Sequence, residues 1–328
     1  MINVPAPQGA LSATSSPSPR IALLGGTGPV GASIGAALTA AGQPFAVVSR
    51  AAGAAPGPAR RTWDPGDLAS VRAAVRGIDT LVYMVGVPYD AFHLHPRLMR
   101  TTLEAAQAEG VRRLLLIGTA YPFGRPHTPR VSESHPRTPH TFKGRMRKEQ
   151  EDLVMEAGAS GRIATSILRL PDFYGPGISR SYLADIFAAA ATGRRAKVIG
   201  PIDTPHEFVF VPDVGPTVLK LLERPDAFGP AFNLGGAGTI TVREVAEQAF
   251  MLVRRNPRLL VANRLLLRLA GLFDPVLRET VEMHYLMTDP VIFDDSALAA
   301  VIGPLAKTPY AQGIARCMDA AQRAARQA

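Results

Sequence analysis

From Arg20 to Leu170 the chain alternates short apolar runs with helix-length segments, and this order limits its fold more than any other feature. "RIALLGG" is a strand ending in glycines, and "PVGASIGAALTAAG" follows it as a helix. "PFAVVSR" and "ARRTWD" read as a second and a third strand, with the helix "DLASVRAAVRG" behind them. "DTLVYMVG", "VRRLLLIGT" and "RIATSILRL" read as the fourth to sixth strands. Between them lie the helix "HPRLMRTTLEAAQAEG" and one that opens in "TFKGRMRKEQEDLV" and continues to Ala157. Strands alternating with helices of this length form parallel β-α-β units. Because such crossovers are right-handed, the α/β class follows: a doubly wound parallel sheet with helices on both faces.

Beyond Leu170 the alternation weakens. "YLADIFAAAATG" reads as a helix, and "FVFVPDVGPTVLKLLERP" as a strand turning into a helix with Asp213 as its cap. "AFNLGG" reads as another strand of the sheet, and the rest as helical apart from a short strand at "VIFDD". The expected organisation has three parts: a disordered leader over 1–19, a Rossmann domain over 20–170 completed by strand segments near 208–235, and a smaller, mostly helical substrate lobe from 171–207 and 236–328. The leader lacks the charged start and continuous apolar stretch of a signal peptide. "LLVANRLLLRLAGLF" is interrupted by Arg264 and Arg268. It is too short and too charged to span a bilayer, and reads as a helix of a soluble fold with no membrane partner. The proline-rich segment from Tyr121 to His140 has the length of a lid or a site wall.

The first strand runs into Gly25-x-x-Gly28-x-x-Gly31, which opens a helix. A dinucleotide site needs glycine here for a sharp turn, for close approach of the backbone to a pyrophosphate, and for tight helix–strand packing. The helix N-terminus then offers N–H groups and a positive dipole end to the phosphates. The second strand ends at "VVSR", where an NAD site would carry an acidic residue for the ribose hydroxyls. Ser49 and Arg50 stand there instead, and a guanidinium attracts a 2′-phosphate that a carboxylate would repel. NADP is therefore the expected cofactor ahead of NAD, the plainer alternative being a solvated Arg50. Asp64 is either an acceptor for the adenine amine or a turn residue before Pro65.

The 36 basic and 27 acidic residues leave a formal charge of +9, a field that draws anionic cofactors inward. The basic residues are spread and carry no nucleic-acid motif, so no nucleic-acid partner is expected. The one cysteine, Cys317, rules out an intrachain disulfide framework, gives no metal cluster and fits a cytoplasmic setting.

With these residues in hand, the chain resembles the extended short-chain dehydrogenase/reductase family, also called the NAD-dependent epimerase/dehydratase family. The resemblance runs from about Ile21 to about Ala249 through "GGTGPVG", "LEAAQAEGVRRLLLIGTA", "LRLPDFYGPG", "HEFVFVPDV" and "AFNLGG". It implies a catalytic Ser or Thr, a Tyr, and a Lys four residues after the Tyr. Positions i and i+4 share a helix face, which explains the spacing. The Ser or Thr role falls on Thr119 in "IGTAYPFG". "KGRMRKEQE" resembles the family's Tyr-Gly-Arg-x-Lys-x-x-x-Glu run, which puts Lys143 in the Tyr position and Arg147 in the Lys position. The expected cofactor contacts are Gly25, Thr27, Gly28, Pro29, Val30 and Gly31, with Arg50, Asp64, Val85, Gly86, Lys143 and Pro171.

The altered pair admits two readings. In one, Lys143 is a proton-transfer group whose pKa is lowered by burial and by Arg147, or His135 or His140 donates the proton instead. In the other, the pair is a solvated helix face or a cofactor anchor on a non-catalytic NADP-binding regulator, with i,i+4 pairs Arg147–Glu151 and Lys148–Asp152. Many family members act on nucleotide-sugars and hold the diphosphate with an arginine that His206 replaces in "HEF". A small carbonyl or enone substrate is the leading expectation, and a nucleotide-sugar epimerase- or dehydratase-like activity the alternative. "DPVLRETVEMHYLMTDP" is expected to line the pocket, and the helices after the fourth and fifth strands offer a homodimer contact.

Overall fold

The computed structural model describes residues 20–51, 58–263, 265–266, 269 and 281–327. The leader expected over 1–19 lies outside the described residues. Seven strands form one parallel sheet: β1 (Ile21–Leu24), β2 (Phe45–Ser49), β3 (Ala59–Thr62), β4 (Thr80–Tyr83), β5 (Arg113–Thr119), β6 (Ala164–Leu170) and β10 (Ala231–Asn233). Their order is β10-β6-β5-β4-β1-β2-β3. Successive strand residues point to opposite faces, so each central strand feeds two cores. Ala22 and Leu24 of β1 join Val71 of α2 (Leu68–Val75), Met99 of α3 (Leu94–Ala108) and Val154 of α4 (Phe142–Ala159). Leu23 packs on the other side with Ile34 of α1 (Pro29–Ala40) and Val218 of α6 (Val211–Leu222).

A further core joins α5 (Ala184–Thr192), α7 (Val242–Leu252) and the C-terminal helix Tyr310–Gln327 through Ile186, Val245 and Ile314. Four expectations need correction here. Strand β9 (Phe208–Phe210) does not complete the main sheet, because it pairs with β7 (Asp172–Tyr174) in a separate ladder. The start of "LLVANRLLLRLAGLF" is not helical: β11 (Leu259–Ala262) pairs with β8 (Ala196–Ile199), and Pro257 just before it discourages a helix from α7 running on. Asp213 is no cap, since its carboxylate accepts from the backbone N and hydroxyl of Thr308 and ties down the segment before the last helix. "VIFDD" contributes one bridge, between Phe293 and Val131, rather than a strand.

That bridge explains the long segment after Tyr121. Val131 N donates to Ile292 O, and Asp294 N donates to Val131 O. Phe123, Val131 and Phe293 are buried in one cluster with Leu286. The segment is therefore pinned to the C-terminal part of the chain, and of its residues Tyr121 lines the main groove.

Candidate active site

The chain leaves β1 toward β2 and β3 on one side, then crosses back to β4, β5 and β6 on the other. Carboxyl ends of strands diverge at such a switch point and leave a crevice. A cavity of about 660 Å³ lies there, lined by the loops after β1, β4, β5 and β6. Thr27, Pro29, Val30, Val85, Gly86 and Pro171 all line it, as expected from the sequence.

The glycines divide the work. Gly25 has φ +79°, the left-handed region that only glycine enters freely. A Cβ on Gly31 would lie 2.3 Å from Gly26 O, so this glycine lets α1 approach the loop. A Cβ on Gly28 would meet nothing within 4 Å and would enter open groove. Space at Gly28 beside the N-terminus of α1 is what a pyrophosphate requires. The residues present therefore fit a dinucleotide. At the far end Ser49, Arg50, Trp63 and Pro65 line the groove, with Arg50 exposed. Asp64 is not among the lining residues. Its Oδ1 accepts from Gly66 N at 2.9 Å, a turn bond as the plainer reading has it.

Thr119 ends β5 and faces the groove, its hydroxyl accepting from Tyr121 N at 3.4 Å. Arg147 reaches the same region from α4 and is buried. Its Nη2 donates to Ile117 O and its Nη1 to His95 Nδ1, both at 3.3 Å. Burial lowers the guanidinium's pKa from its ordinary value. Burial, and then the Arg147 charge, hold His95 down at about 2, so the ring is neutral and accepts. The expected Arg147–Glu151 pair does not form. Glu151 instead faces Arg169 (Nη2–Oε2 2.8 Å) and Arg137, while Lys148 and Asp152 pair at 2.7 Å as expected.

Lys143 is neither a solvated residue nor part of the groove lining. It is 0% exposed, with Nζ 2.7 Å from Glu282 Oε2 and 5.6 and 5.7 Å from the ring centroids of Tyr89 and Phe92. This contact ties the Lys143 side chain to Glu282 and away from the groove lining. Spacing alone shows nothing of this, because Glu282 lies 139 residues away. His135 and His140 also stay outside the groove: His135 accepts from His127 N at 3.0 Å, and the His140 ring meets Tyr285.

The substrate end is built by groups that motif reading did not join. Asp172, just after Pro171, lines the groove together with His206, and His206 Nε2 donates to Asp172 Oδ2 at 2.8 Å. Tyr89 and Tyr121 share a hydroxyl contact of 3.2 Å, and Phe92, Phe173, Leu286 and Val291 add apolar wall. Leu286 bears out the expectation that "DPVLRETVEMHYLMTDP" reaches the pocket. His206 was visible as a departure from the family's arginine, but its pairing with Asp172 depends on the β7–β9 ladder.

A sequence model of the NAD dependent epimerase/dehydratase family matches residues 21–235. The chain is 30% identical over 247 residues to the dTDP-6-deoxy-L-talose 4-dehydrogenase (NAD(P)(+)) of Kitasatospora kifunensis, spanning 70% of this chain and 77% of that protein. Its structure is similar to a UDP-glucuronic acid 4-epimerase from Bacillus cereus in complex with NAD, with TM-score 0.75 and 14% identity over 93% of this chain and 99% of the other. It is also similar to a dTDP-glucose 4,6-dehydratase from Bacillus anthracis str. Ames in complex with NAD, with TM-score 0.78 and 14% identity over 93% of this chain and 97% of the other. At such identities the structural likeness shows the fold alone.

Proposed function

We propose that this chain, which belongs to the NAD-dependent epimerase/dehydratase family, is an NADPH-dependent reductase of a small, uncharged carbonyl or enone compound. The observation that carries the reading is the Asp172–His206 pair at the substrate end of the groove. A carboxylate there repels a diphosphate, and an imidazole committed to that carboxylate is no bidentate phosphate clamp. The neighbouring walls are aromatic and aliphatic, which suits an apolar molecule. The exposed Arg50 at the opposite end favours the 2′-phosphate of NADPH.

When bound, the cofactor supplies a hydride. The Thr119 hydroxyl would hydrogen-bond the substrate oxygen and orient the carbonyl. Arg147, fixed by Ile117 O and His95, would hold the cofactor's ribose or phosphate side. The matching proton has two nearby sources. Burial raises Tyr121 well above the ordinary tyrosine value, which makes its phenol a poor acid at neutral pH. His206 lines the groove, and an imidazole held by a carboxylate at one ring nitrogen has a second ring nitrogen free for proton exchange. We assign the proton to His206, with Asp172 orienting it.

The test follows NADPH consumption with aromatic aldehydes, diketones and cyclic enones, beside UDP- and dTDP-hexoses. Turnover is expected with the neutral carbonyls. In calorimetric titrations UDP should bind only once Asp172→Asn and His206→Arg are combined. Tight UDP binding by the unaltered protein, or interconversion of a nucleotide-sugar, would sink the reading.

A further inference from the structure

Among the described residues, the six most exposed large apolar side chains all fall within residues 251–269. They are Met251, Leu252, Leu260, Leu265, Leu266 and Leu269, each 49–68% exposed. Met251 and Leu252 end α7, and Leu260 belongs to β11. Asn263 Oδ1 then accepts from Leu266 N at 2.9 Å, starting the helical residues Leu265, Leu266 and Leu269. Spacings of i, i+1 and i+4 put these three leucines on one helix face, which in a globular fold is ordinarily turned inward. Here it faces out, and a concentrated apolar surface of this kind marks an interaction site.

The charges around it decide the partner. Arg254 and Arg258 lie between α7 and β11. Across the β8–β11 ladder Lys197 stands opposite Leu260, and Arg195 adjoins Arg258 through the Ala196 N to Arg258 O bond. All four cations are exposed, and no described carboxylate forms an ion pair with them. Of the nearby acids, Asp185 is taken by Arg194, and Glu247 lies exposed one turn before Met251. A second copy of this surface would set cation against cation. Leucines ringed by arginine and lysine instead complement an anionic lipid bilayer, whose acyl boundary accepts the leucines while its headgroups meet the cations.

We infer that the face formed by Met251, Leu252, Leu260, Leu265, Leu266 and Leu269 docks the protein on an anionic membrane surface. No helix among the described residues is long and apolar enough to cross a membrane, so the contact is peripheral. The expectation of no membrane partner rested on the lack of a spanning segment, and this inference replaces it.

The test is co-sedimentation of the full chain with vesicles of phosphatidylcholine plus phosphatidylglycerol, and of phosphatidylcholine alone. The protein should pellet with the anionic vesicles only, and less at high salt. Leu265→Ser/Leu266→Ser/Leu269→Ser should weaken partitioning at least about tenfold. Arg254→Gln/Arg258→Gln should weaken it about fivefold per charge. Light scattering and thermal melts accompany each variant. Four results would each overturn the inference: no pelleting of the unaltered protein, equal binding to both vesicles, a dimer that the serine variant dissolves, or a serine variant with lowered melting temperature. The last would mean that the leucines are covered by the chain itself.

Discussion

Lowering the pH from 7 to 5 should leave the stability of this protein nearly unchanged, because two buried groups oppose each other. His95 is held at about 2 when folded, against about 6.5 for an unfolded histidine. Between those values the unfolded chain binds a proton that the folded chain refuses, so stability falls as pH falls. Linkage over this interval gives a loss of about 2 kcal/mol. Glu207 has the opposite sign. Burial is the main cause that raises it to about 7, against about 4.3 unfolded. The folded state therefore takes up a proton first, and acidification adds about 2 kcal/mol. Both side chains are 3% exposed, so neither effect is discounted for solvent. The assay is urea unfolding of three proteins at both pH values. His95→Gln keeps an acceptor for Arg147 and removes the titration, so it should gain about 2 kcal/mol on going to pH 5. Glu207→Gln should lose about as much. If His95→Gln follows the unaltered protein across the interval, His95 is not held neutral, and the account of how Arg147 is fixed is wrong.

Four further outcomes are expected. Gly28→Val should unfold like the unaltered protein yet lose NADPH binding in a fluorescence titration, since its side chain enters the open groove. Gly31→Ala should cost about 1–3 kcal/mol of stability, seen as a lower melting temperature, because its Cβ meets the Gly26 backbone at 2.3 Å. Arg50→Ala should weaken NADPH more than NADH, by about 1–2 kcal/mol in calorimetry; equal losses would remove Arg50 as the 2′-phosphate ligand. Lys143→Met should leave NADPH affinity intact while lowering stability by about 2–3 kcal/mol, through the partly exposed Glu282 left unpaired; a large loss of affinity with unchanged melting would put Lys143 back at the cofactor.

What could be read in the sequence was what local physics decides. Residues 21–170 carry strand and helix signals separated by short connections, and each expected strand there joins the sheet. The glycine loop was legible for the same reason, since the turn, the packing and the open space lie within seven residues. Arg147 was found by aligning "KGRMRKEQE" with the family's pattern, and it does line the groove. The failures share a different cause. Lys143 lies one turn away from Arg147 on the same helix, yet it is drawn to Glu282 in a distant segment. Asp172 and His206 are separated by 34 residues and meet only because β7 and β9 pair outside the main sheet. Leu259–Ala262 became a strand because β8 offered an edge, against a leucine-rich composition that favours helix. In each case a long-range partner outweighed the local preference. The consequence for function is specific: the family's catalytic helix keeps its place, but one of its two key positions now braces the C-terminal segment. On the function proposed above, the polar chemistry facing the substrate would instead come from Asp172 on β7 and from His206 in the chain entering β9. A site rearranged in this way should respond to changes at Asp172 and His206 in turnover, and to changes at Lys143 in stability.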